Sequence, residues 1–217
     1  MPRSPRVVIP EVPHHVVQRG HRKQPVFFDE SDRWALIGDL HKHSLQFECQ
    51  ILAYCLMSNH IHLIIVPPKM DSLAKLMHVV HTKHAKRINK KNDWCGHVWQ
   101  NRYFSCVLDE SHFWAAVRYV ELNPVRAQMV EHAEKYFWSS ARFHCSNRTD
   151  KLLQTSADSS WNEILPGASQ WRKYLRSGEY DLELTAIRSA TTKNQALKSI
   201  KKVPRTTSKG TFLSTAL

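Results

Sequence analysis

Two histidines with one residue between them, His60 and His62, are the residues of this 217-residue chain whose types and spacing first suggest chemistry. On a β-strand, residues two apart project from the same face, so these imidazoles would be neighbours while Ile61 points the other way. Two neighbouring imidazoles supply half of the ligands of a divalent metal site. The other interpretation is a pair of ordinary hydrogen-bonding histidines, which an isolated pair in a chain with 14 histidines favours.

Tyr119 and Asn123 form a second candidate pair, because at i and i+4 they would be neighbours on one face of a helix. A phenol has a pKa of about 10, so it becomes a useful nucleophile only if a metal stabilises charge on the attacked group or a base takes its proton. The histidine pair could hold that metal. The other interpretation is a tyrosine at the rim of the core with a satisfied hydroxyl, and composition alone favours it. The adjacent apolar stripe that should pack on a sheet is Phe113, Ala116, Val117 and Val120.

The chain is strongly basic, with 31 Lys and Arg against 19 Asp and Glu and a net charge of +12. A polyanion is therefore the expected partner, nucleic acid ahead of an anionic membrane. No run approaches the roughly 20 apolar residues of a membrane span, and the basic N-terminus lacks a signal-peptide core, so we expect a cytoplasmic protein without a membrane partner. The five cysteines contain no CxxC pair, which argues against disulfides and a zinc ribbon.

The patterning predicts strand, helix, strand, strand, helix, strand, helix, which is the order of a ferredoxin-like α+β fold with helices packed on an antiparallel sheet. Residues 1–145 would form this domain, and 146–217 a C-terminal extension, helical or irregular and partly flexible. Pro124 should stop the last core helix at Asn123. The predicted elements are strands 14–20, 47–57, 60–66 and 103–108, helices 30–46 after Asp29 and 110–123 after Asp109, and a helix capped by Asp71 with its periodic positions from Leu73 to Ile88.

Three motifs in the same order carry a family resemblance that covers about the first 145 residues. The runs Ala53 to Leu63, Gly96 to Tyr103 and Arg118 to Ala127 resemble the REP-associated tyrosine transposases, in the single-tyrosine branch of the HUH (His, hydrophobe, His) nucleases. The resemblance implies a ferredoxin-like nuclease core that cuts single-stranded DNA beside the hairpin of a repetitive extragenic palindrome. It also implies a cytoplasmic, nucleoid-associated protein, and we expect a monomer.

Transferred to this chain, the resemblance makes His60 and His62 metal ligands, Asn123 the third protein ligand and Tyr119 the nucleophile. Attack on the scissile phosphate would leave a 5′-phosphotyrosine and a free 3′-OH. A divalent metal, Mg²⁺ or Mn²⁺, would polarise a phosphoryl oxygen. Because the covalent link keeps the energy of the broken phosphodiester, rejoining would need no ATP.

Basic residues in the N-terminal arm, after the first strand and on the Asp71 helix are the predicted DNA contacts. A charge row on a helix is usually a solvated face, but here all charges have one sign, which favours phosphate contact. Trp99 and Tyr103 are candidate base-stacking partners, with a core role equally plausible for Trp99. The predicted DNA-binding residues are Arg3, Arg6, Arg19, Arg22, Lys83, Lys86, Arg87 and Arg102.

Two other classes of function stay open from the sequence. One is a non-cutting protein that binds structured single-stranded DNA or RNA, a domesticated transposase. The other is a metal hydrolase with an activated water, for which further Asp or Glu residues near the histidine pair are expected and none is evident. In the tail, residues 191–196 lack the glycines that the family resemblance would lead one to expect, which leaves the role of the extension undefined.

Overall fold

The computed structural model describes residues 6–146, 148–153, 167–177 and 181–193. Its centre is a four-stranded antiparallel sheet with the strand order β2-β3-β1-β4. The strands are β1 (His14–Arg19), β2 (Gln50–Leu56), β3 (His60–Val66) and β4 (Phe104–Val107).

The helices begin largely where the sequence predicts. At Asp29 a capping box is complete, because its side chain accepts from the Asp32 backbone N–H while the Asp32 carboxylate accepts from the Asp29 backbone N–H. Asp109 accepts from the His112 backbone N–H in the same way. The helices are α1 (Glu30–Gln46), α2 (Ser72–Asn92), α3 (Glu110–Glu121), α4 (Asn123–Arg126), α5 (Ala141–His144), α6 (Ala168–Arg176) and α7 (Asp181–Lys193).

The element order confirms the predicted ferredoxin-like fold. One boundary differs in a way that matters for the site: α3 ends at Glu121, and Asn123 begins a separate helical turn, α4. Pro124 lies in the first turn of α4, where its missing N–H would have had no intrahelical partner. The proline therefore starts a new turn instead of only ending the helix before it.

The register places the histidine pair on one face of the sheet. His62 lies opposite Val17 of β1 and Cys55 of β2, and His60 lies opposite Arg19. At the end of β1, Gly20 donates its N–H to the Asn59 carbonyl in the β2–β3 turn. A Cβ on Gly20 would come within 2.3 Å of the Gln24 carbonyl oxygen, so only glycine permits this approach.

The two faces of the sheet are covered differently. Helix α3 contacts β2 and β3, α7 contacts β4 and β1, and α1 contacts β2 and α2. The residues that alternate with the histidines, Ile61, Leu63 and Ile65, are fully buried in the core to which α1 and α2 also contribute. The histidines therefore lie on the face that α3 and α7 cover, and Ile61, Leu63 and Ile65 lie on the opposite face.

The described parts of the C-terminal extension belong to the same hydrophobic core. The division at residue 145 stays a prediction, but helices α6 and α7 are packed against the sheet domain. The expectations for residues 154–166 and 194–217 lie outside the described residues. The extension contributes the buried side chains Leu152, Leu153, Trp171, Leu175, Ile187 and Ala190.

A buried carboxylate ties this extension to α3. Glu121 is fully buried, and its Oε1 accepts from Ser140 Oγ and from His144 Nδ1, each at 2.5 Å. Its Oε2 accepts from Trp171 Nε1 at 2.7 Å. A buried charge needs such donors, since an unpaired carboxylate is strongly destabilising. Glu121 thus fixes α6 and the residues near 140 against the helix that carries Tyr119.

Two further findings bear on the sequence predictions. Within the described ranges, no helix is both long and apolar enough to cross a membrane. All five cysteines are free thiols; Cys49, Cys55, Cys106 and Cys145 are buried, whereas Cys95 is exposed.

The buried imidazole of His81 on α2 predicts that the fold loses stability in acid. Burial lowers the pKa of His81 from 6.5 to about 3, so between these values the unfolded chain binds a proton that the folded chain does not. The free energy of unfolding therefore falls between pH 7 and pH 5, by about 2 kcal/mol from this residue alone. Urea unfolding of His81→Gln should show a pH dependence smaller by that amount, and an unchanged pH dependence would contradict the assignment.

Candidate active site

Strand β3 holds His60 and His62 side by side on one face of the sheet. Their ring centroids are 4.9 Å apart and the ring planes are inclined at 76°. His60 Nδ1 bonds Asn59 Oδ1 at 2.6 Å, and His62 Nδ1 bonds His15 Nε2 at 2.9 Å. In both rings the hydrogen bond is made by Nδ1, which leaves Nε2 as the atom available to a ligand.

Helix α3 places Tyr119 against this pair. The Tyr119 ring meets the His62 ring edge-on, with centroids 5.6 Å apart, and meets the His15 ring at 5.5 Å. The sequence predicted Tyr119 beside the apolar stripe of the helix. The side chain is only 6% exposed, so it is itself part of the core. The i, i+4 argument therefore identified the correct face of the helix, and the tertiary packing turns that face toward the histidines.

Asn123 lies one turn beyond Tyr119, at the start of α4. Its Nδ2 donates to the carbonyl oxygens of Tyr119 and Val120, at 3.0 and 3.1 Å. The amide nitrogen is thus fixed by the end of α3, and Oδ1 is the polar atom left for a ligand. Asn123, His60 and His62 together offer one oxygen and two imidazole nitrogens.

The chemistry of these three side chains fits a divalent cation. Imidazole binds metal only when it is neutral. Burial lowers the pKa of His60 to about 4, with the charge of Arg19 adding to the effect, and burial lowers the pKa of His62 well below 6.5. Both rings are therefore neutral at physiological pH. Among the described residues no group of three or more His, Cys, Asp or Glu side chains could hold a metal. Asn123 Oδ1 is the candidate third protein ligand.

Sequence reasoning missed His15, which stacks on His62 with the ring planes inclined at 4°. Burial lowers the pKa of His15 to about 3, with the charge of Arg126 as a smaller cause. The signal was available: His15, Val17 and Arg19 alternate along β1, and β1 lies beside β3 in a ferredoxin-like sheet. What the sequence lacked was the register that brings His15 next to His62.

Two arginines make the site positive. The Arg126 guanidinium lies 4.3 Å from the centroid of the Tyr119 ring and donates to the Tyr119 carbonyl oxygen at 2.6 Å. The charges of Arg126 and Arg19 both lower the pKa of His62, after burial and the neighbouring histidines. Arg126 thus lies over the ring of the candidate nucleophile.

The other predicted DNA contacts differ in their surroundings. Lys83 and Arg87 share the carboxylate of Asp39 on α1, at 2.5 and 2.7 Å, so its single negative charge offsets part of their combined positive charge. Arg6 donates twice to the Tyr103 carbonyl oxygen and stacks 3.8 Å above the Tyr103 ring. Arg3 lies outside the described residues. Three predicted contacts are exposed, and no ion pair involves them within the described ranges: Arg22, Lys86 and Arg102.

The three histidines of α2, His78, His81 and His84, lie in different surroundings. His78 is exposed, whereas His81 and His84 pack on Trp99 with centroids 4.9 and 5.3 Å away. Trp99 Nε1 donates to the His81 carbonyl oxygen at 3.0 Å. In this structure Trp99 therefore contacts the helix and does not stand free as a stacking platform.

The candidate site thus combines two same-face histidines on β3, a tyrosine on α3 and an asparagine one turn later, on a ferredoxin-like sheet. A family model described as "Transposase IS200 like" matches residues 9–123, which is more than half of the chain and includes all four of these residues. The chain belongs to this family of transposases. Among curated proteins, none matches this sequence.

One solved structure has a similar fold. A REP-associated tyrosine transposase bound to a REP hairpin is similar over 66% of this chain and 85% of its own, with a TM-score of 0.56 and 16% identity. A proposed transposase from Deinococcus radiodurans R1 is also similar, over 58% of this chain and 92% of its own, with a TM-score of 0.39 and 16% identity.

Proposed function

We propose that this transposase cuts and rejoins single-stranded DNA beside a hairpin, with Tyr119 as the nucleophile and a 5′-phosphotyrosine as the intermediate. Membership in the IS200-like transposase family supports DNA as the substrate. The similar structure that was solved with a REP hairpin supports a palindromic hairpin as the feature that is recognised. The proposed partner is thus a repetitive extragenic palindrome in single-stranded form, bound by a monomer in the cytoplasm at the nucleoid.

The contact between Tyr119 and His62 carries the proposal. A buried tyrosine needs no histidine pair beside it for packing, since an apolar residue would fill the space. Here the ring lies 5.6 Å from His62, and His60 and His62 both turn Nε2 away from their hydrogen-bond partners. The arrangement suits a nucleophile that attacks a phosphate held at the histidines.

His60, His62 and Asn123 would hold the divalent metal, Mg²⁺ or Mn²⁺. When bound, the metal would withdraw charge from a phosphoryl oxygen. Two imidazoles and an amide oxygen accept either ion, and the nitrogen ligands make Mn²⁺ the easier one to observe. The protein would contribute by keeping both imidazoles neutral through burial and by presenting them on the same face of β3.

The proposed step exchanges one phosphate ester for another. The bond between Tyr119 Oη and phosphorus forms, and the bond between phosphorus and the 3′ oxygen of the preceding nucleotide breaks. The phenol loses its proton and the 3′ oxygen gains one, so the exchange is balanced. Reversal by a 3′-OH rejoins a strand without an external energy source, which is the property that strand transfer requires.

The arginines would attract and position the phosphate. Arg126 over the Tyr119 ring and Arg19 beside His60 place two positive charges around the reacting group. Preorganised charges of this kind stabilise the negative charge that develops on a transferring phosphoryl group. Away from the site, the exposed Arg22, Lys86 and Arg102 are the proposed backbone contacts, and Lys83 and Arg87 would contribute less because Asp39 pairs them.

Replacing the nucleophile should abolish the covalent product. With Mn²⁺ or Mg²⁺ and end-labelled single-stranded hairpin DNA from the flanks of its own gene, the wild type should give a protein-linked 5′ product on a denaturing gel. Tyr119→Phe should give none, because loss of a covalent nucleophile costs several orders of magnitude in rate. Tyr174→Phe, which removes the same oxygen from α6, is the matched control. An adduct in Tyr119→Phe, or hairpin binding without an adduct in the wild type, would refute the proposal.

The salt dependence of binding should separate free cations from paired ones. Each phosphate contact on a single strand contributes about 0.7 to the slope of log K against log salt. Arg19→Ala should therefore lower the magnitude of the slope by about 0.7. Lys83→Ala should lower it by less, because Asp39 offsets part of the charge of Lys83 and Arg87. Fluorescence anisotropy of labelled hairpin DNA measures both slopes, and a larger loss in Lys83→Ala than in Arg19→Ala would contradict this assignment.

A further inference from the structure

A chain of hydrogen bonds connects His62 to the C-terminal extension. His62 Nδ1 lies 2.9 Å from His15 Nε2, and His15 Nδ1 lies 2.9 Å from Thr191 Oγ1. Thr191 is on α7, 176 residues beyond His15. Three elements, β3, β1 and α7, are therefore joined through side chains behind a candidate metal ligand.

The donor and acceptor in each of these hydrogen bonds can be assigned by starting from Thr191. Thr191 Oγ1 is 2.7 Å from the Ile187 carbonyl oxygen, which can only accept, so the single hydroxyl hydrogen of Thr191 points there. The oxygen of Thr191 must then accept from its other neighbours, His15 Nδ1 and the Cys106 thiol at 3.2 Å. His15 therefore carries its hydrogen on Nδ1.

The hydrogen position on His15 in turn determines the hydrogen position on His62. His15 is 1% exposed and His62 is 3% exposed, and burial disfavours a second proton on either imidazole. A neutral His15 with its hydrogen on Nδ1 presents a lone pair at Nε2. The bond to His62 can then form only if His62 Nδ1 donates, which leaves a lone pair on His62 Nε2.

We propose that Thr191 and His15 are positioning residues that hold His62 in the tautomer able to bind a divalent cation, so that α7 completes the active site. The role in metal binding rests on the proposed function, whereas the tautomer itself does not. Outer hydrogen-bond partners of this kind fix the orientation of ligating histidines, and their loss typically weakens metal binding 10- to 100-fold.

His60 offers a local comparison for this arrangement. Asn59 Nδ2 donates to the Lys23 carbonyl oxygen at 2.9 Å, so Asn59 Oδ1 is free to accept from His60 Nδ1. The result is again a lone pair on Nε2. The neighbouring residue in the chain holds His60, but His62 depends on a helix from the other end of the sequence.

Thr191→Val tests the proposal, because valine keeps the shape of threonine and removes the hydroxyl. Ring-nitrogen NMR of the full, metal-free chain should show the Nδ1–H tautomer of His62 in the wild type and a mixture in Thr191→Val. Mn²⁺ titration followed by electron paramagnetic resonance should show about tenfold weaker binding in Thr191→Val. Thr191→Ser should retain the wild-type values, and so should Ser189→Ala, which removes an exposed hydroxyl from the same helix.

The outcomes separate this inference from the function on which it depends. An Nε2–H tautomer of His62 in the wild type, or wild-type spectra and affinity in Thr191→Val, would overturn the positioning role. If the wild type binds no Mn²⁺ and forms no adduct, the proposed function fails while the tautomer spectrum still decides the proton assignment. If Thr191→Val does not fold, His15→Phe keeps a ring in place without nitrogens and should show the same weakened Mn²⁺ binding.

Discussion

The candidate site depends on keeping the imidazoles of His60 and His62 buried and uncharged. An imidazole in water is partly protonated near neutral pH, and a protonated ring cannot bind a metal. Here β3 carries both histidines into a face covered by α3 and α7, where burial lowers the pKa values of His60 and His62. Positive charge from Arg19 adds to this effect on both rings. The charges that keep the rings neutral are also charges that attract a phosphate, so one arrangement serves both requirements.

The same constraint explains why the C-terminal extension is packed so closely on the sheet domain. A face that must stay buried needs a cover, and α3 packs mainly on β2 and β3. Helix α7 covers β1 and β4, and α6 is fixed by Trp171 to the buried carboxylate of Glu121. Because Glu121 lies two residues from Tyr119 on α3, the contact that anchors the extension also holds the helix that carries Tyr119. The sheet domain and the extension therefore share one hydrophobic core.

Local patterns in the sequence predicted more of this structure than long-range contacts did. Alternation on β3 and the caps at Asp29 and Asp109 depend on neighbouring residues, and each matches the observed geometry. The i, i+4 spacing correctly put Tyr119 and Asn123 one turn apart, although α3 ends between them. Three features depend on side chains far apart in the sequence, and hydrophobic periodicity cannot predict such contacts. These are the pairing of Asp39 with Arg87 across 48 residues, the His15–His62 contact across 47, and the His15–Thr191 contact across 176.

Locating the covalent link on the protein tests the central claim most directly. The wild type would be incubated with Mn²⁺ and single-stranded hairpin DNA, the DNA trimmed with a nuclease and the tryptic peptides sequenced by tandem mass spectrometry. The account predicts a nucleotide attached through its 5′ phosphate to Tyr119, and to no other tyrosine. Cut DNA with a nucleotide on a different residue, or cut DNA with no nucleotide on the protein, would contradict it and identify another nucleophile or water as the attacking group.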